Sequence, residues 1–123
     1  MSKIIVVVED LIFLSKIQQT AKLTSVEIEA LPLQKLGERL ASGSAVSAVI
    51  FDLNHHSGQA VEALRAMKAD SQNRRIPAIA FLSHVQTDLA KAAREAGCDL
   101  LLARSAFTEQ LPDLLRRYSA IPA

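Results

Sequence analysis

Hydrophobic and polar positions along this chain form two kinds of pattern, one typical of strands and the other typical of helices. The runs at residues 4–8 and 45–51 are almost continuously apolar, as in strands that are buried on both faces. Around Ile28, apolar residues alternate with glutamates, which indicates a strand with one wetter face. The predicted strands cover residues 4–8, 26–30, 45–51, 76–82 and 99–103.

Between these runs, apolar side chains recur at spacings of three and four, as they do on one face of a helix. Gly43 and Gly97 stand where two of the helices should end. Pro112 is expected in the first turn of the last helix, where its missing N–H does no harm. The apolar series of four predicted helices begin near Leu14, Leu33, Val61 and Leu111, and the remaining helix is expected from Thr87, its N-cap, through Ala96.

A strand followed by a helix, five times over, predicts a parallel sheet with helices on both faces. The expected fold is therefore α/β, a flavodoxin-like three-layer α/β/α sandwich. Its five-stranded parallel sheet has the order 2-1-3-4-5 and is accompanied by five helices. Residues 1–123 are expected to form this one domain, without an output domain.

Composition bears on the partners and the cellular compartment that can be expected for the chain. Half of its residues are hydrophobic, and its formal net charge of +1 gives no case for a nucleic-acid or membrane partner. Cys98 is the only cysteine, which excludes an internal disulfide and fits a reducing compartment. The first apolar run ends at Glu9, too early for a signal peptide or a membrane span, so we expect a cytoplasmic protein.

Acidic residues close two neighbouring strands of the predicted sheet. Glu9 and Asp10 follow the first strand, and Asp52 ends the third. Since parallel strands end at one edge, and these two flank the switch point, the three carboxylates should converge. A hard cation such as Mg²⁺ would relieve their repulsion. The alternative is that Asp10 and Asp52 merely cap the helices that follow them.

Three histidines are expected at the same edge of the sheet. His55 and His56 follow the third strand, and His84 follows the fourth. Imidazole and carboxylate together suit Zn²⁺, so a transition-metal-binding protein that uses His55 and His84 is one alternative. No Gly-rich loop follows the first strand and no G-x-S-x-G motif is present, which disfavours a nucleotide or flavin cofactor and a nucleophilic hydrolase.

Three segments around these acids resemble the receiver domain of bacterial response regulators. They are residues 6–10 (VVVED), 50–54 (IFDLN) and 96–105 (AGCDLLLARS), and the order of elements agrees over nearly the whole chain. The resemblance implies a phosphorelay of two-component signalling. The phosphoryl donor would be a histidine kinase or a phosphotransfer protein, and the output would pass to a downstream protein partner.

The resemblance also implies roles for individual residues. Asp52 would be the phosphoacceptor. Mg²⁺ would be held by Glu9, Asp10, Asp52 and the backbone carbonyl of Asn54. The switch hydroxyl at the end of the fourth strand would be Ser83, with Leu82 as the alternative alignment; Ser83 is favoured because leucine cannot donate a hydrogen bond.

One departure from the family affects the site directly. Arg104, followed by Ser105, stands where the family has a lysine before a proline. Arginine binds phosphate through a larger, planar fork, so we expect Arg104 either to pair with the acids or to swing outward. The chain is therefore interpreted as an atypical, degenerate member.

Two functions follow from the resemblance. The first is a stand-alone receiver that is phosphorylated on Asp52 with Mg²⁺, and that is not an enzyme beyond its own phosphorylation and dephosphorylation. The second is a phosphorylation-independent pseudo-receiver that acts as a protein–protein interaction module. Residues 11–14 are all apolar and cannot share one helical stripe, so Leu11 or Phe13 should be exposed, where a partner helix or a second copy in a homodimer could bind.

Overall fold

The predicted alternation of strands and helices is confirmed by the structure, a computed structural model that describes residues 2–43, 45–54, 58–83 and 87–119. The strands are β1 (Lys3–Val7), β2 (Ile28–Ala30), β3 (Val46–Asp52), β4 (Ala78–Leu82) and β5 (Leu100–Ala103). The helices are α1 (Leu11–Leu23), α2 (Leu36–Ala41), α3 (Ala60–Ala69), α4 (Thr87–Glu95) and α5 (Arg104–Ser119), with one 3₁₀ turn, Leu33–Lys35, before α2.

The strands form one parallel sheet in the order β2-β1-β3-β4-β5, as predicted. The register fixes which strand ends are neighbours. Val7 of β1 lies beside Phe51, and Asp52 lies beside Phe81 of β4. At the other side of β4, Leu82 pairs with Ala103. The residues that follow β1, β3, β4 and β5 therefore lie at a single edge of the sheet, which we call the carboxyl edge.

Side chains of each central strand alternate between two hydrophobic layers, because successive residues of a strand point to opposite faces. In β3, Val49 and Phe51 pack with α2, α3 and α4, whereas Ala48 and Ile50 pack with α1 and α5. The sheet is thus covered on both faces, and the three-layer α/β/α sandwich is confirmed.

Three aromatic rings fill the α1/α5 layer just below the carboxyl edge. Phe81 and Phe107 stack with ring centroids 4.6 Å apart, and Phe13 lies 5.1 Å from Phe81. All three are buried. Aromatic pairs at such distances stabilise a fold beyond their buried area. The cluster fixes the beginnings of α1 and α5 relative to the end of β4.

An ion pair whose lysine is largely shielded from solvent holds the opposite edge of the sheet, where the strands begin. Lys68, in the last turn of α3, lies 2.6 Å from the carboxylate of Asp99. Its ammonium group also donates to the carbonyls of Arg74 and Ile76, at 3.0 and 2.7 Å. The same Asp99 oxygen accepts from the backbone N–H of Ala78 at 2.7 Å. The pair ties α3 to the beginnings of β4 and β5.

The expected position of Pro112 is wrong. Helix α5 begins at Arg104, directly after β5, so Pro112 lies in its interior. The apolar stripe of this helix starts one turn earlier than Leu111, at the fully buried Phe107. Burial of that stripe outweighs the hydrogen bond to the Thr108 carbonyl that a proline cannot make.

Candidate functional site

Asp52 lies at the centre of the carboxyl edge and is buried, with 8% of its surface exposed. Among the described residues it is the only buried aspartate, glutamate, lysine or arginine. One carboxylate oxygen accepts the backbone N–H of Asn54 at 2.9 Å, which turns the chain sharply after β3. Since burying a carboxylate is unfavourable, stability alone does not account for this position.

Asn54 connects Asp52 to the end of β4. Its side-chain oxygen accepts the N–H of Ser83 at 2.6 Å and the Ser83 hydroxyl at 3.1 Å. Leu82, the alternative for the switch position, points into the core and is buried. Of the two candidates, Ser83 alone presents a hydroxyl to the turn that follows Asp52. The sequence suggested a role for the Asn54 backbone carbonyl and missed this side-chain bridge.

Asp10 caps α1 and pairs with Arg104. One carboxylate oxygen accepts the N–H groups of Ile12 and Phe13, at 3.0 and 3.1 Å. The other accepts from the guanidinium of Arg104 at 3.0 Å. The hydrogen bond from Phe13, and next the one from Arg104, lower the pKa of Asp10 below its ordinary value. The Asp10 carboxylate therefore caps α1, as one alternative predicted, and it also pairs with Arg104, as expected.

The side chain of Arg104 is held from below by an aromatic ring. Its guanidinium carbon lies 4.1 Å from the ring centroid of Phe13, a cation–π contact. One signal for this contact is visible in the sequence. Phe13 belongs to the apolar run at residues 11–14, which cannot fit a single helical stripe and which directly follows Glu9 and Asp10. Phe13 proves to be buried, whereas Leu11 and Ile12 are 77% and 86% exposed.

The predicted ligands fit Mg²⁺ by type. Carboxylate and carbonyl oxygens are the ligands that this cation prefers. Yet within residues 2–43, 45–54, 58–83 and 87–119, no three carboxylate, imidazole or thiol side chains form a ready group of ligands. Asp10 already serves three donors. The assignment of Glu9, Asp10, Asp52 and Asn54 to a metal ion stays a prediction.

The transition-metal alternative rests on His55 and His84, and both lie outside the residues that the structure describes. Cys98 lies away from the carboxyl edge, before β5. Its thiol donates to the carbonyls of Ala78 and Leu100, and burial raises its pKa. As far as the chain is described, no helix has both the length and the apolarity needed to cross a membrane.

Comparison by sequence identifies no relative of this chain. No protein-family profile matches it, and no curated protein sequence matches it.

Comparison by structure gives many matches among response regulators. The phosphorylated cyanobacterial phytochrome response regulator RcpA has a TM-score of 0.79 and 20% identity, over 94% of this chain and 89% of its own. The receiver domain of a sensor histidine kinase from Pseudomonas aeruginosa, with a magnesium ion in its active-site cleft, has a TM-score of 0.79 and 18% identity, over 98% of both chains. A response regulator from Hahella chejuensis reaches a TM-score of 0.83 at 14% identity, over 98% of this chain and 97% of its own.

These matches span nearly the full length of both partners, with TM-scores of 0.79 to 0.83. The chain therefore has the fold of response-regulator receiver domains, as the resemblance of its segments predicted. The identities are low, so this likeness defines the fold, and the function has to be argued from the carboxyl edge itself.

Proposed function

We propose that this chain is a receiver in two-component signalling and that Asp52 accepts a phosphoryl group. One observation carries the proposal: Asp52 is a buried carboxylate at the carboxyl end of β3, where open α/β sheets bind their ligands. The register puts Asp52 beside β4 and one residue beyond the paired ends of β1 and β3. The RcpA structure, a phosphorylated response regulator of the same fold, supports the proposal.

The chemistry assigned to Asp52 is an in-line displacement. A carboxylate oxygen attacks the phosphorus atom, an O–P bond forms, and the P–N bond of a phosphohistidine donor breaks, with its electron pair passing to the imidazole nitrogen. A divalent cation, when bound, supplies charge neutralisation for this reaction. Glu9, Asp10, Asp52 and the Asn54 carbonyl are the proposed ligands, and the magnesium site of the Pseudomonas receiver supports a cation of this kind.

Ser83 is the proposed switch residue. Its hydroxyl now donates to Asn54, so it is close to the turn after Asp52 and already has a partner that it can exchange. A phosphoryl oxygen on Asp52 is a stronger, charged acceptor than an amide oxygen. Reorientation of Ser83 toward it would shift the population at the end of β4, and a downstream protein would respond to that change.

The test is the intact mass of the protein after incubation with acetyl phosphate and Mg²⁺. We expect a gain of one phosphoryl group in the wild type and none in Asp52→Asn. Asp113→Asn, which removes an exposed carboxylate near the other end of α5, is the matched control and should be modified like the wild type. No gain in the wild type, or an undiminished gain in Asp52→Asn, would refute the proposal.

A second candidate, the phosphorylation-independent interaction module, is favoured by the Arg104–Asp10 pair. That pair occupies one of the predicted metal ligands with a cation that belongs to the chain itself. Under this alternative, acetyl phosphate with Mg²⁺ leaves both the mass and the backbone amide NMR spectrum of the wild type unchanged. Binding of a protein partner would then survive the Asp52→Asn substitution.

A further inference from the structure

The carboxylate of Asp10 is fully engaged by groups of the chain itself. Its Oδ1 atom caps α1 through two N–H groups, and its Oδ2 atom accepts from Arg104 at 3.0 Å. The ion pair is only half-buried, since 33% of the Arg104 side chain and 44% of the Asp10 side chain are exposed. Water and dissolved ions can therefore reach the pair, unlike an ion pair that is sealed in the core.

Arg104 is placed beside Asp10 by rigid structure and not by chance contact. It is the first residue of α5, which follows β5 without a connecting loop. Phe107, one turn further along α5, is fully buried and anchors this turn to the core. The Phe13 ring then supports the guanidinium from α1, 4.1 Å below it. Both helices thus contribute to keeping the positive charge at the carboxyl edge.

We propose that Arg104 is a tethered counter-charge that competes with divalent cations for Asp10, so that the chain limits its own affinity for metal. The inference rests on the proposed function, because it concerns the same predicted ligands. A carboxylate oxygen binds Mg²⁺ at about 2.1 Å. The Arg104 nitrogen already lies 3.0 Å from Oδ2. Two cations on one oxygen would lie within a few ångströms of each other and repel strongly.

The competition has a structural consequence for the chain. When the guanidinium leaves Asp10, it also loses the orientation that places it over Phe13. The contact between the beginnings of α1 and α5 is then loosened, whereas the helix cap made by Oδ1 needs no change. Occupation of the predicted metal site is in this way linked to the contact between the first turns of α1 and α5.

The experiment is calorimetric titration of Mg²⁺ into the wild type and two matched variants. Arg104→Gln removes the competing charge, and we expect about three- to fivefold tighter Mg²⁺ binding, the range that a half-exposed ion pair supports. Arg116→Gln changes the net charge equally on the same helix, at an exposed pair with Asp113. It should leave the affinity unchanged.

Two further variants separate charge from packing. Arg104→Lys keeps the positive charge and should stay close to the wild type, even though it loses the planar stacking on Phe13. Asp10→Asn, combined with Arg104→Gln, should lose the gain because the contested carboxylate is gone. In the wild type, Mg²⁺ should also shift the NMR signal of the Arg104 side-chain N–H, which reports the exchange directly. Circular dichroism confirms that each variant is folded.

The outcomes distinguish this inference from the function on which it rests. Equal Mg²⁺ affinity in the wild type and Arg104→Gln, or no detectable binding in either, overturns the inference. If Arg104→Gln binds metal more tightly but acetyl phosphate adds nothing to Asp52, the inference stands and the phosphoacceptor role fails. If Asp52 is phosphorylated while the two affinities agree, the reverse holds.

Discussion

Two ion pairs, at opposite edges of the same sheet, each join parts of the chain that are distant in sequence. At the edge where strands begin, Lys68 and Asp99 lie 2.6 Å apart, and only 12% of the lysine side chain is exposed. At the carboxyl edge, Arg104 and Asp10 lie 3.0 Å apart, and a third or more of each side chain is exposed. The two pairs are alike in charge and in the short distance between their partners, but they differ in how far solvent reaches them.

The difference in surroundings separates a structural pair from one that can change partners. The ammonium group of Lys68 serves Asp99 and two backbone carbonyls, so removing it takes the donor from both carbonyls and leaves Asp99 with only the Ala78 N–H. Among the described residues, Arg104 pairs with one charged group, Asp10. Because the pair is partly exposed, water can replace this interaction at a small cost in free energy. We therefore expect the first pair to govern stability and the second to govern which ions the carboxyl edge binds.

The largest effect that we expect is from Lys68→Met. The substitution keeps an apolar stem but removes the charge, so that two carbonyls lose their donor and Asp99 loses its cation. The free energy of unfolding should fall by about 2–3 kcal/mol, less than for a fully buried pair because Asp99 is half-exposed. Urea unfolding followed by circular dichroism measures the change.

Lys35→Met is the matched control for that experiment. Lys35 pairs with Glu38 across one helical turn, and both side chains are mostly exposed. Its loss should change the free energy of unfolding by less than about 0.5 kcal/mol. If the two lysine variants were equally stable, burial would not distinguish the pairs, and the contrast between the two edges would disappear.

A smaller effect is expected from Gly97→Ala, which probes the packing around Lys68. Gly97 has a φ of +103°, and a Cβ added there would lie 3.1 Å from Cγ of Lys68. Gly43→Ala is the control, since Gly43 also has a positive φ, +82°, but open space around it. We expect a loss of about 2 kcal/mol at Gly97 and about 1 kcal/mol at Gly43, where only backbone strain acts. Equal losses would mean that the lysine stem yields freely.

The fold was predictable because the sequence patterns that indicate its strands and helices each lie within a short stretch of chain. Apolar runs and helical spacings identified five strands and five helices, and parallel connection then left few possible orders. The error at Pro112 has a local cause as well. The apolar stripe of α5 includes Phe107, but a proline five residues later is typical of a helix start and so predicts the wrong boundary. Tertiary burial overrides such a sign when enough of the stripe is covered.

The contents of the site were predictable only in part, because side-chain partners are chosen by geometry. The topology brings Asp10, Asp52, Ser83 and Arg104 to one edge, as the sequence indicated. The sequence alone does not show that Arg104 pairs with Asp10 and not with another of these acids. The Lys68–Asp99 pair was missed altogether, although Lys68 follows Leu64 by four residues and so stands on the buried stripe of α3. A charged residue in such a position requires a partner of opposite charge.

The last prediction concerns Asp10→Asn and tests whether the exposed pair is as weak as its surroundings suggest. Asparagine can still cap α1, so the variant removes charge and little else. The pKa of Asp10 is lowered from 3.8, so its ionised form stabilises the folded state. The stability difference between wild type and variant should be complete above pH 3.8, shrink as the pH falls through the lowered pKa, and vanish below it.

Urea unfolding between about pH 7 and about pH 2 measures this difference, with Asp113→Asn as the control for an exposed carboxylate. Because the N–H groups of Phe13 and Ile12 also lower the pKa of Asp10, the pH-dependent difference should be reduced in an Arg104→Gln background, not abolished. Complete loss there would make Arg104 the main stabiliser of the ionised carboxylate. The two edges would then differ less than their exposure indicates, and Arg104 would be a structural residue that a metal ion cannot readily displace.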